Sequence, residues 1–473
     1  MNRRDYSGKR LIELRFFIFG SSTSRIFEVS RNLGFCVILD IIAPGNYHLT
    51  SMSFIADLHI HSKYSRATSP DMMIPQISRA AQLKGISLVA TGDFTHPDWL
   101  ELLRRDLTPT GNGLFRYGET HFILSAEVNS AAHKRGKFHQ IHNLLYVSSF
   151  EDAEKINVCL ARYGNLQSDG RPTLRIDTED MLKEVMPLAP DAMYVPAHIW
   201  TPWFSLYGSR SGFDSVEECL GPMKKEITAL ETGLSSDPPM NWRLSELDPW
   251  PLISNSDAHS PSRLGREANV FECEMSYAAI HDTLRAKDKQ RFLYTIEFFP
   301  EEGKYHYDGH RPCNVRLAPK QSLMNNDLCP VCGGRLTVGV LHRVENLADR
   351  PEGTIPENAI PYKSLVPLEE IIAQAIGAGR DTAGVKSRYD TLVKALGGEF
   401  NILMNVPPQE IELHSNEKIA QGIANMRAGK VVALAGYDGV FGTIDVFGQT
   451  STEPGEPPKP RGDDHQGEQM SLF

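Results

Sequence analysis

The sequence predicts an α/β protein of several domains, and three observations carry that prediction. From Phe54 onward, short apolar runs alternate with longer runs whose apolar residues fall at helical spacing. The short runs end in polar loops, and six of those ends carry a histidine or a carboxylate. The length of 473 residues and a hydrophobic share of 41% allow large cores, and at roughly 100–200 residues per domain suggest two to four of them.

The elements follow in order. "FIADLHIH" from Phe54 is a strand, and "MMIPQISRAAQLKG" is a helix that stops at Gly85. "ISLVATGDF" is a buried strand, and "HFILSAEVN" and "IHNLLYVS" repeat the strand pattern. "DTEDMLKEVMPLA" is a helix with acidic residues near its start, where they suit the helix dipole. "AMYVPAHIW", "ITALETG" and "WPLISNSDAHS" are further short apolar runs with polar ends. Such alternation predicts parallel strands with crossover helices, in an open sheet or a barrel, with chemistry at the strand ends.

Composition divides the rest. After about residue 300 the chain turns rich in Gly, His, Cys and Arg, up to "CPVCGGRL". A third region contains the helical stretch "SLVPLEEIIAQAIGAG" and later "IANMRAGKVVALAGYDGVFG". The tail "GQTSTEPGEPPKPRGDDHQGEQ" is polar and rich in Pro and Gly, a disordered composition. The expected organisation is an extension over 1–52, a catalytic domain over 53–300, a zinc module over 301–355, a C-terminal region over 356–447 and a tail over 448–473. The runs "LIELRFFIFG" and "LGFCVILDIIAPG" are too short to span a bilayer and lack a cleavage context. Met52 directly precedes the first motif strand, so residues 1–51 are expected to have no stable role.

The net charge of −10 excludes a globally basic nucleic-acid binder; phosphate affinity then rests on local patches. Seven cysteines, an odd number in a long chain, argue against a disulfide framework and for a reducing compartment. No dimerisation pattern is evident, so a monomer is expected.

His59 and His61 sit one residue apart behind an apolar run. In a strand such a pair points to one face, which suits a metal better than a core. Asp93 and His96 follow "LVAT", Glu127 ends "ILSAEV", and His139 and His142 flank "IHNLLY". His198 ends "MYVPAH", and Asp257 and His259 form "SDAH". One such residue is commonly a solvated cap, but six strands repeating the pattern point to zinc, manganese or iron.

"DLHIHS", "TGD", "SAE", "HNLL", "PAH" and "SDAH" resemble the ordered motifs of the PHP (polymerase and histidinol phosphatase) domain. The resemblance runs from Phe54 to Pro300 and implies a distorted (β/α)7 barrel with a trinuclear site for phosphoester hydrolysis. It implies that His59, His61, Glu127 and Asp257 hold one metal, that Glu127 bridges to a second held with His142 and His198, and that Asp93 and His259 hold a third. Asp93, Glu127 and Asp257 are the expected catalytic carboxylates, and the expected cations are zinc, manganese or magnesium. Asp93 departs from the family pattern, which carries a histidine there; His96 is placed to compensate.

His310-x2-Cys313 and Cys329-x2-Cys332 fit a tetrahedral structural zinc, with His342 the rival fourth ligand. A redox Cys-x-x-Cys would open a helix, whereas this one lies in a Gly/Pro-rich loop. Arg311, Arg316, Lys320, Arg335 and Arg343 surround the site as a solvated face or a phosphate-gripping surface.

"GKYHYDGHRPC", "CPVCGGRLTVGVLHRVENLADRPEG" and "PYKSLVPLEEIIAQA" extend the likeness to the endonuclease Q family, over Phe54 to Phe447. That resemblance implies nicking of DNA on the 5′ side of uracil, hypoxanthine, xanthine or an abasic site, in repair. Reading the edge of a deaminated base requires flipping it from the duplex. Trp200, Trp203, Tyr305 and Tyr307 are candidate wedges or stacking platforms, Tyr437 and Asp438 of "GYDGVFG" candidate DNA contacts, and Arg380, Lys386 and Arg388 a candidate second phosphate grip. The end "QMSLF", Gln469, Met470, Ser471, Leu472 and Phe473, resembles the bacterial sliding-clamp-binding motif and implies a cytoplasmic, nucleoid-associated protein. A small-molecule PHP phosphatase and a non-catalytic DNA scaffold are the rival readings.

Overall fold

A computed structural model of the chain describes residues 53–448. The expected extension over 1–52 and the tail from residue 449, with its motif Gln469–Phe473, lie outside the described residues. Strand β1 (Phe54–Asp57) leads into the His-x-His segment, and helix α1 (Ile74–Lys84) follows. Gly85 ends α1 in the left-handed conformation (φ 85°), as expected of a glycine stop. Strand β2 (Leu88–Ala90) pairs in parallel with β1, with Ala56 opposite Leu88. After helix α2 (Pro97–Asp106), strand β3 (Thr120–Lys134) pairs in parallel with β2.

The expected all-parallel pattern breaks at this point. β3 and β4 (Lys137–Val147) form one long antiparallel hairpin, in register from Leu124–Val147 to Lys134–Lys137. Its two-residue turn is Arg135 and Gly136, both with positive φ (50° and 80°). That combination matches the twist of paired strands and needs no crossover helix. After helices α3 (Phe150–Leu160) and α4 (Thr178–Val185), strand β5 (Met193–Pro196) runs antiparallel to β4. Strands β6 (Leu230–Glu231) and β7 (Leu252–Ile253) pair in parallel with each other. Single bridges link them onward: Tyr194–Ile227 from β5 towards β6, and Ile60–Ala258 from the loop after β7 back to the end of β1. The seven strands thus follow one another around a distorted ring.

Fully buried side chains such as Leu58, Ile60, Phe122, Tyr146 and Tyr194 form the core around these strands, each apolar one worth about 1.5–3 kcal/mol. Strand β8 (Ala268–Phe271) adds antiparallel to β1, β9 (Phe292–Glu297) adds to β8, and β10 (Tyr362–Ser364) pairs in parallel with β9. The chain therefore returns to the barrel sheet after the cysteine-rich segment. That segment contains a hairpin, Asp308–His310 with Val315–Leu317, and a short helix, Pro319–Met324. Helices at Leu368–Ile376, Ala383–Leu396, Glu399–Met404, Pro408–His414 and Glu417–Arg427 complete the C-terminal region with a small hairpin, Val432–Leu434 with Thr443–Asp445. The Lys84 ammonium at the end of α1 meets the buried Glu399 carboxylate at 2.6 Å, and Tyr389 Oη also donates to it (2.8 Å). Breaking one side of such a buried pair typically costs about 3–5 kcal/mol. Among the described residues no helix is long and apolar enough to cross a membrane.

Candidate metal centre

The ring brings side chains from opposite parts of the chain to one end. His59 and His61 leave β1 buried and on one side, as the alternation predicts. Glu127 and His142 are not at strand ends as expected: they lie within the long hairpin, where Glu127 faces Leu144 and Asn129 faces His142. They are diagonal cross-strand neighbours, so both reach the same face. His198 follows β5, and Asp257 follows β7. Asp93, His198 and Asp257 all have positive φ (53°, 27° and 46°). Three strained non-glycine residues at one cluster indicate a scaffold that over-determines their positions.

Glu127 stands between two groups. Its Oε2 lies 3.2 Å from His61 Nε2 and 3.7 Å from His59 Nε2, and Asp257 Oδ1 lies 3.1 Å and 3.7 Å from the same two nitrogens. Its Oε1 lies 2.8 Å from His142 Nδ1 and 3.1 Å from His198 Nε2. His59, His61 and Asp257 can hold one ion, and Glu127, His142 and His198 another. Ligands about 2.0–2.1 Å from a tetrahedral ion are about 3.3 Å apart, which matches this spacing. The buried atoms His59 Nε2, His61 Nε2, Asp257 Oδ1 and His259 Nε2 have no hydrogen-bond partner among the described residues. Buried polar atoms are seldom left so, and a cation held by His59, His61 and Asp257 would satisfy three of them.

A second tier orients the ligands. His59 Nδ1 meets Glu231 Oε1 at 3.0 Å, and Glu231 also accepts from the His198 backbone N (2.7 Å) and Asn255 Nδ2 (2.8 Å). His61 Nδ1 meets Asp93 Oδ1 at 3.0 Å. With Nδ1 engaged, each Nε2 points into the cluster. Burial disfavours charge on Glu127, but His142, Arg171 and His59 hold its carboxyl well below the usual range. Asp257 is held low in the same way by His59 and His259. Burial pushes His142 down to about 3 and His259, beside His61, down to about 4, so both are neutral and fit to bind a cation.

Several expected roles change. Asp93 does not share a group with His259. Its second oxygen accepts from Ser62 N and Ser62 Oγ (2.6 Å each) and Ser65 Oγ (2.8 Å), so it supports His61 from behind. His259 packs its ring against His61 (4.6 Å) and turns Nδ1 to the Asp257 carbonyl (2.9 Å). His96 lies outside both groups: it precedes α2 without a side-chain capping bond, stacks on Tyr64 and turns Nε2 to the Gln167 carbonyl. His139 stacks on Phe213, with Nδ1 turned to the Ser211 carbonyl. Trp200 is a core residue, stacked on Tyr207 with its Nε1 donating to Asn241. Trp203 instead lines an open cleft with Arg171, Thr201, Phe204, Leu234, Ser235, His142, His198 and Asp257, and Tyr305 meets its ring edge-on (6.0 Å). Tyr307 stacks on His306 and bridges to Tyr437. Sequence reading passed over Glu231 and Arg171. Glu231 carried the same signal as the others, an acid closing the strand-like run "ITALE".

His310, Cys313, Cys329 and Cys332 gather their ligand atoms in a third group. The knuckle has the expected form: Gly333 takes φ 72° and donates to the Cys329 carbonyl (2.8 Å), and Gly334 N points at Cys332 Sγ (3.4 Å). His342, the rival ligand, is buried elsewhere with Nδ1 on Asp308 (2.6 Å). Arg311, Arg316, Lys320 and Arg335 are exposed, but Arg343 is tied to Tyr207 O, Phe213 O and Asp214. Asp438 accepts from Arg311 N and Thr337 Oγ1 (2.6 Å each), and Tyr437 Oη donates to Asn314 (2.6 Å). Both therefore fasten the module rather than stand free. Arg380 is paired with Glu370 (3.0 Å) and Arg388 donates to the Gly384 carbonyl, while Lys386 is exposed.

Comparison with known proteins adds relatives. The MJ0043 C-terminal domain family matches residues 367–430. The MJ0043 protein of Methanocaldococcus jannaschii is 35% identical over 301 residues, which are 60% of this chain and 37% of that protein. The chain thus spans little more than a third of that relative's length. YqxK of Bacillus subtilis is 27% identical over 82% of this chain and 98% of its own. The crystal structure of the lesion-specific endonuclease PfuEndoQ from Pyrococcus furiosus aligns at TM-score 0.76 and 33% identity, over 83% of this chain and 95% of that one. Endonuclease Q in complex with a 27-mer duplex substrate, with an abasic lesion at the active site, aligns at TM-score 0.74 and 33% identity, over 83% and 96% of the two chains.

Proposed function

The chain belongs to the endonuclease Q family, and from that premise we propose that it is a metal-dependent DNA endonuclease of repair. In this reading it hydrolyses the phosphodiester on the 5′ side of a damaged nucleotide: uracil, hypoxanthine, xanthine or an abasic site. The observation that carries the reading is the Glu127 carboxylate, one oxygen facing His59 and His61 and the other facing His142 and His198.

His59, His61 and Asp257 hold one cation, Glu127, His142 and His198 hold another, and His259 stands beside them with a free nitrogen. Bound zinc, manganese or magnesium there supplies a water activated near neutral pH and offsets charge on the phosphate oxygens. The chain's own part is to hold Glu127 and Asp257 as carboxylates and to keep His142 and His259 neutral through burial. Asp93 and Glu231 hold the imidazoles in the tautomer that presents Nε2. The cleft beside the cluster, with Trp203 and Phe204 on its wall, offers flat surfaces for a nucleotide turned out of the duplex. The abasic duplex at the active site of the related structure fits this use of the cleft.

The remaining parts extend the proposal. Residues 53–300 form the cutting domain, and His310, Cys313, Cys329 and Cys332 hold a structural zinc in a module over 301–355. Residues 356–447 add DNA contacts, with exposed Lys386 among them. The tail Gln469–Phe473 tethers the enzyme, as a monomer in the cytoplasmic nucleoid, to a sliding clamp and so raises its local concentration on DNA. A labelled duplex with one uracil or one abasic site, incubated with the chain and manganese or zinc beside an Asp257→Ala control, tests the proposal. The expected result is a nick just 5′ of the lesion, absent from the control. Phosphate release from monoesters alone would instead establish the phosphatase reading, and a mobility shift without cleavage the scaffold.

A further inference from the structure

A cation sits at the rim of the barrel cluster that the ligand scheme does not use. Arg171 Nη1 donates to Glu127 Oε2 at 3.2 Å, and its side chain is 12% exposed. A guanidinium carries five donors, and this bond is the only side-chain hydrogen bond Arg171 makes among the described residues. Its neighbour carboxylates Glu127 and Asp257 are both committed to the cation groups. A positive group beside two filled cation sites is repelled by them, and an incoming anion relieves that repulsion.

The backbone is built to hold Arg171 there. A Cβ on Gly170 would lie 2.4 Å from Asp93 Oδ2 and 2.4 Å from Ser65 Oγ, so only glycine lets the loop come this close. Gly170 N donates to the Tyr64 carbonyl (2.9 Å), and Thr95 Oγ1 donates to the Gly170 carbonyl (3.1 Å). Arg171 N donates to Asp169 Oδ1 (3.1 Å), and the Pro172 carbonyl accepts from Asn129 N (3.0 Å). The loop is pinned before, at and after the arginine, and Arg171 faces the same cleft as Trp203 and Ser235.

We propose that Arg171 is a catalytic residue whose guanidinium grips the non-bridging oxygens of the phosphate under attack. Planar donors held in advance match phosphate oxygens and stabilise the charge that builds there. The assignment rests on the phosphoester-cleaving reading of the site. In it Arg171 forms and breaks no covalent bond; it exchanges the Glu127 oxygen for phosphate oxygens when substrate enters.

The test uses the full chain as wild type, Arg171→Lys and Arg171→Ala, each checked for cooperative unfolding. Bound metal is counted, orthophosphate binding is titrated, and single-turnover cleavage is timed on duplexes with a sulfur at either non-bridging oxygen of the scissile phosphate. Arg171→Ala is expected to keep the metal count, bind orthophosphate at least tenfold more weakly and cut about 10²–10³-fold more slowly. Arg171→Lys is expected to recover part of that loss. The slowing that sulfur causes at one oxygen in the wild type is expected to shrink in Arg171→Ala. Loss of metal from Arg171→Ala, or an unchanged sulfur effect, would reduce Arg171 to a support for Glu127 and overturn the assignment. If the wild type cuts no DNA but its orthophosphate binding still depends on Arg171, the nuclease reading falls and the phosphate grip stands.

Discussion

The barrel cluster draws its ligands from His59 to Asp257, every one of them buried or nearly so, and holds its imidazoles from behind with Glu231 and Asp93. The cysteine cluster draws its ligands from His310 to Cys332, and of the four only Cys329 is buried. The first is assembled by a scaffold already stable through its own core. The second has almost no core: Val315, Cys329 and Leu336 are its buried set, while Leu323, Met324, Leu328 and Val331 stay exposed. A module with so little apolar burial is expected to depend on a bound metal for folding. On the proposed reading, a cation in the barrel serves chemistry and one in the module serves structure.

The sharpest way to break that contrast is to remove a ligand from each. Glu127→Gln should leave the barrel folded, because the surrounding core is untouched, but should abolish the bridge between the two groups. Metal stabilisation of the transition state is worth several kcal/mol, so cleavage should fall by about 10³-fold or more. Nicking rates and a thermal melt on one preparation check both halves; a variant that melts early would make Glu127 structural. Cys329→Ser should do the converse. Amide exchange should rise across residues 308–336 with loss of one zinc, while peptides of β1 to β5 keep their protection. A module that stays protected would show that its contacts with Tyr437 and Asp438, rather than the metal, hold it.

The two clusters also differ in how far sequence revealed them. The residues of the cysteine cluster are close in the chain, so spacing alone grouped them, and the structure adds that His310 stands with the three cysteines while His342 faces Asp308. The barrel ligands required a fold hypothesis. His59, His61, His198 and Asp257 were legible because each follows a strand-like run. Glu127 and His142 were found by type but misplaced: the turn at Arg135–Gly136 joins two strands directly, and that hairpin was read as two separate strands. Asp93 stands behind His61 and outside both cation groups, an arrangement that spacing alone does not distinguish from a ligand position. Arg171 gave no signal, because its position depends on how closely Gly170 packs against Asp93, a contact across 77 residues of chain.

A smaller effect sharpens the same contrast. Glu231→Gln keeps the shape at His59 Nδ1 but removes the charge that favours its proton there. Losing such an outer partner typically costs about 10–100-fold in metal affinity. Competition with a chromogenic chelator should show that loss for the barrel ions and none for the module's zinc. Equal affinities in variant and wild type would mean that the imidazole is oriented by packing alone.

The last difference concerns protons. Beneath the barrel cluster, Glu297 is fully buried, with Oε2 accepting from Ser254 Oγ (2.9 Å) and Thr232 Oγ1 (3.3 Å). Burial pushes its carboxyl from 4.5 up to about 8, and burial with Glu297 nearby pushes Glu267 well above its ordinary value. A raised carboxyl binds its proton more tightly in the folded chain than in the unfolded one. Its contribution to stability is complete below about pH 4.5 and is lost as pH rises through about 8, with a slope of up to about 1.4 kcal/mol per pH unit. Glu297→Gln is neutral at every pH and preserves the acceptor oxygen, so its denaturation midpoint should fall less than that of the wild type between pH 5 and pH 8.5. The variant should be the more stable protein at the upper end, while amide exchange in the cysteine module shows no difference between the two chains. Parallel stability curves would mean that Glu297 is already ionised in the folded barrel, and that its hydroxyl partners outweigh its burial.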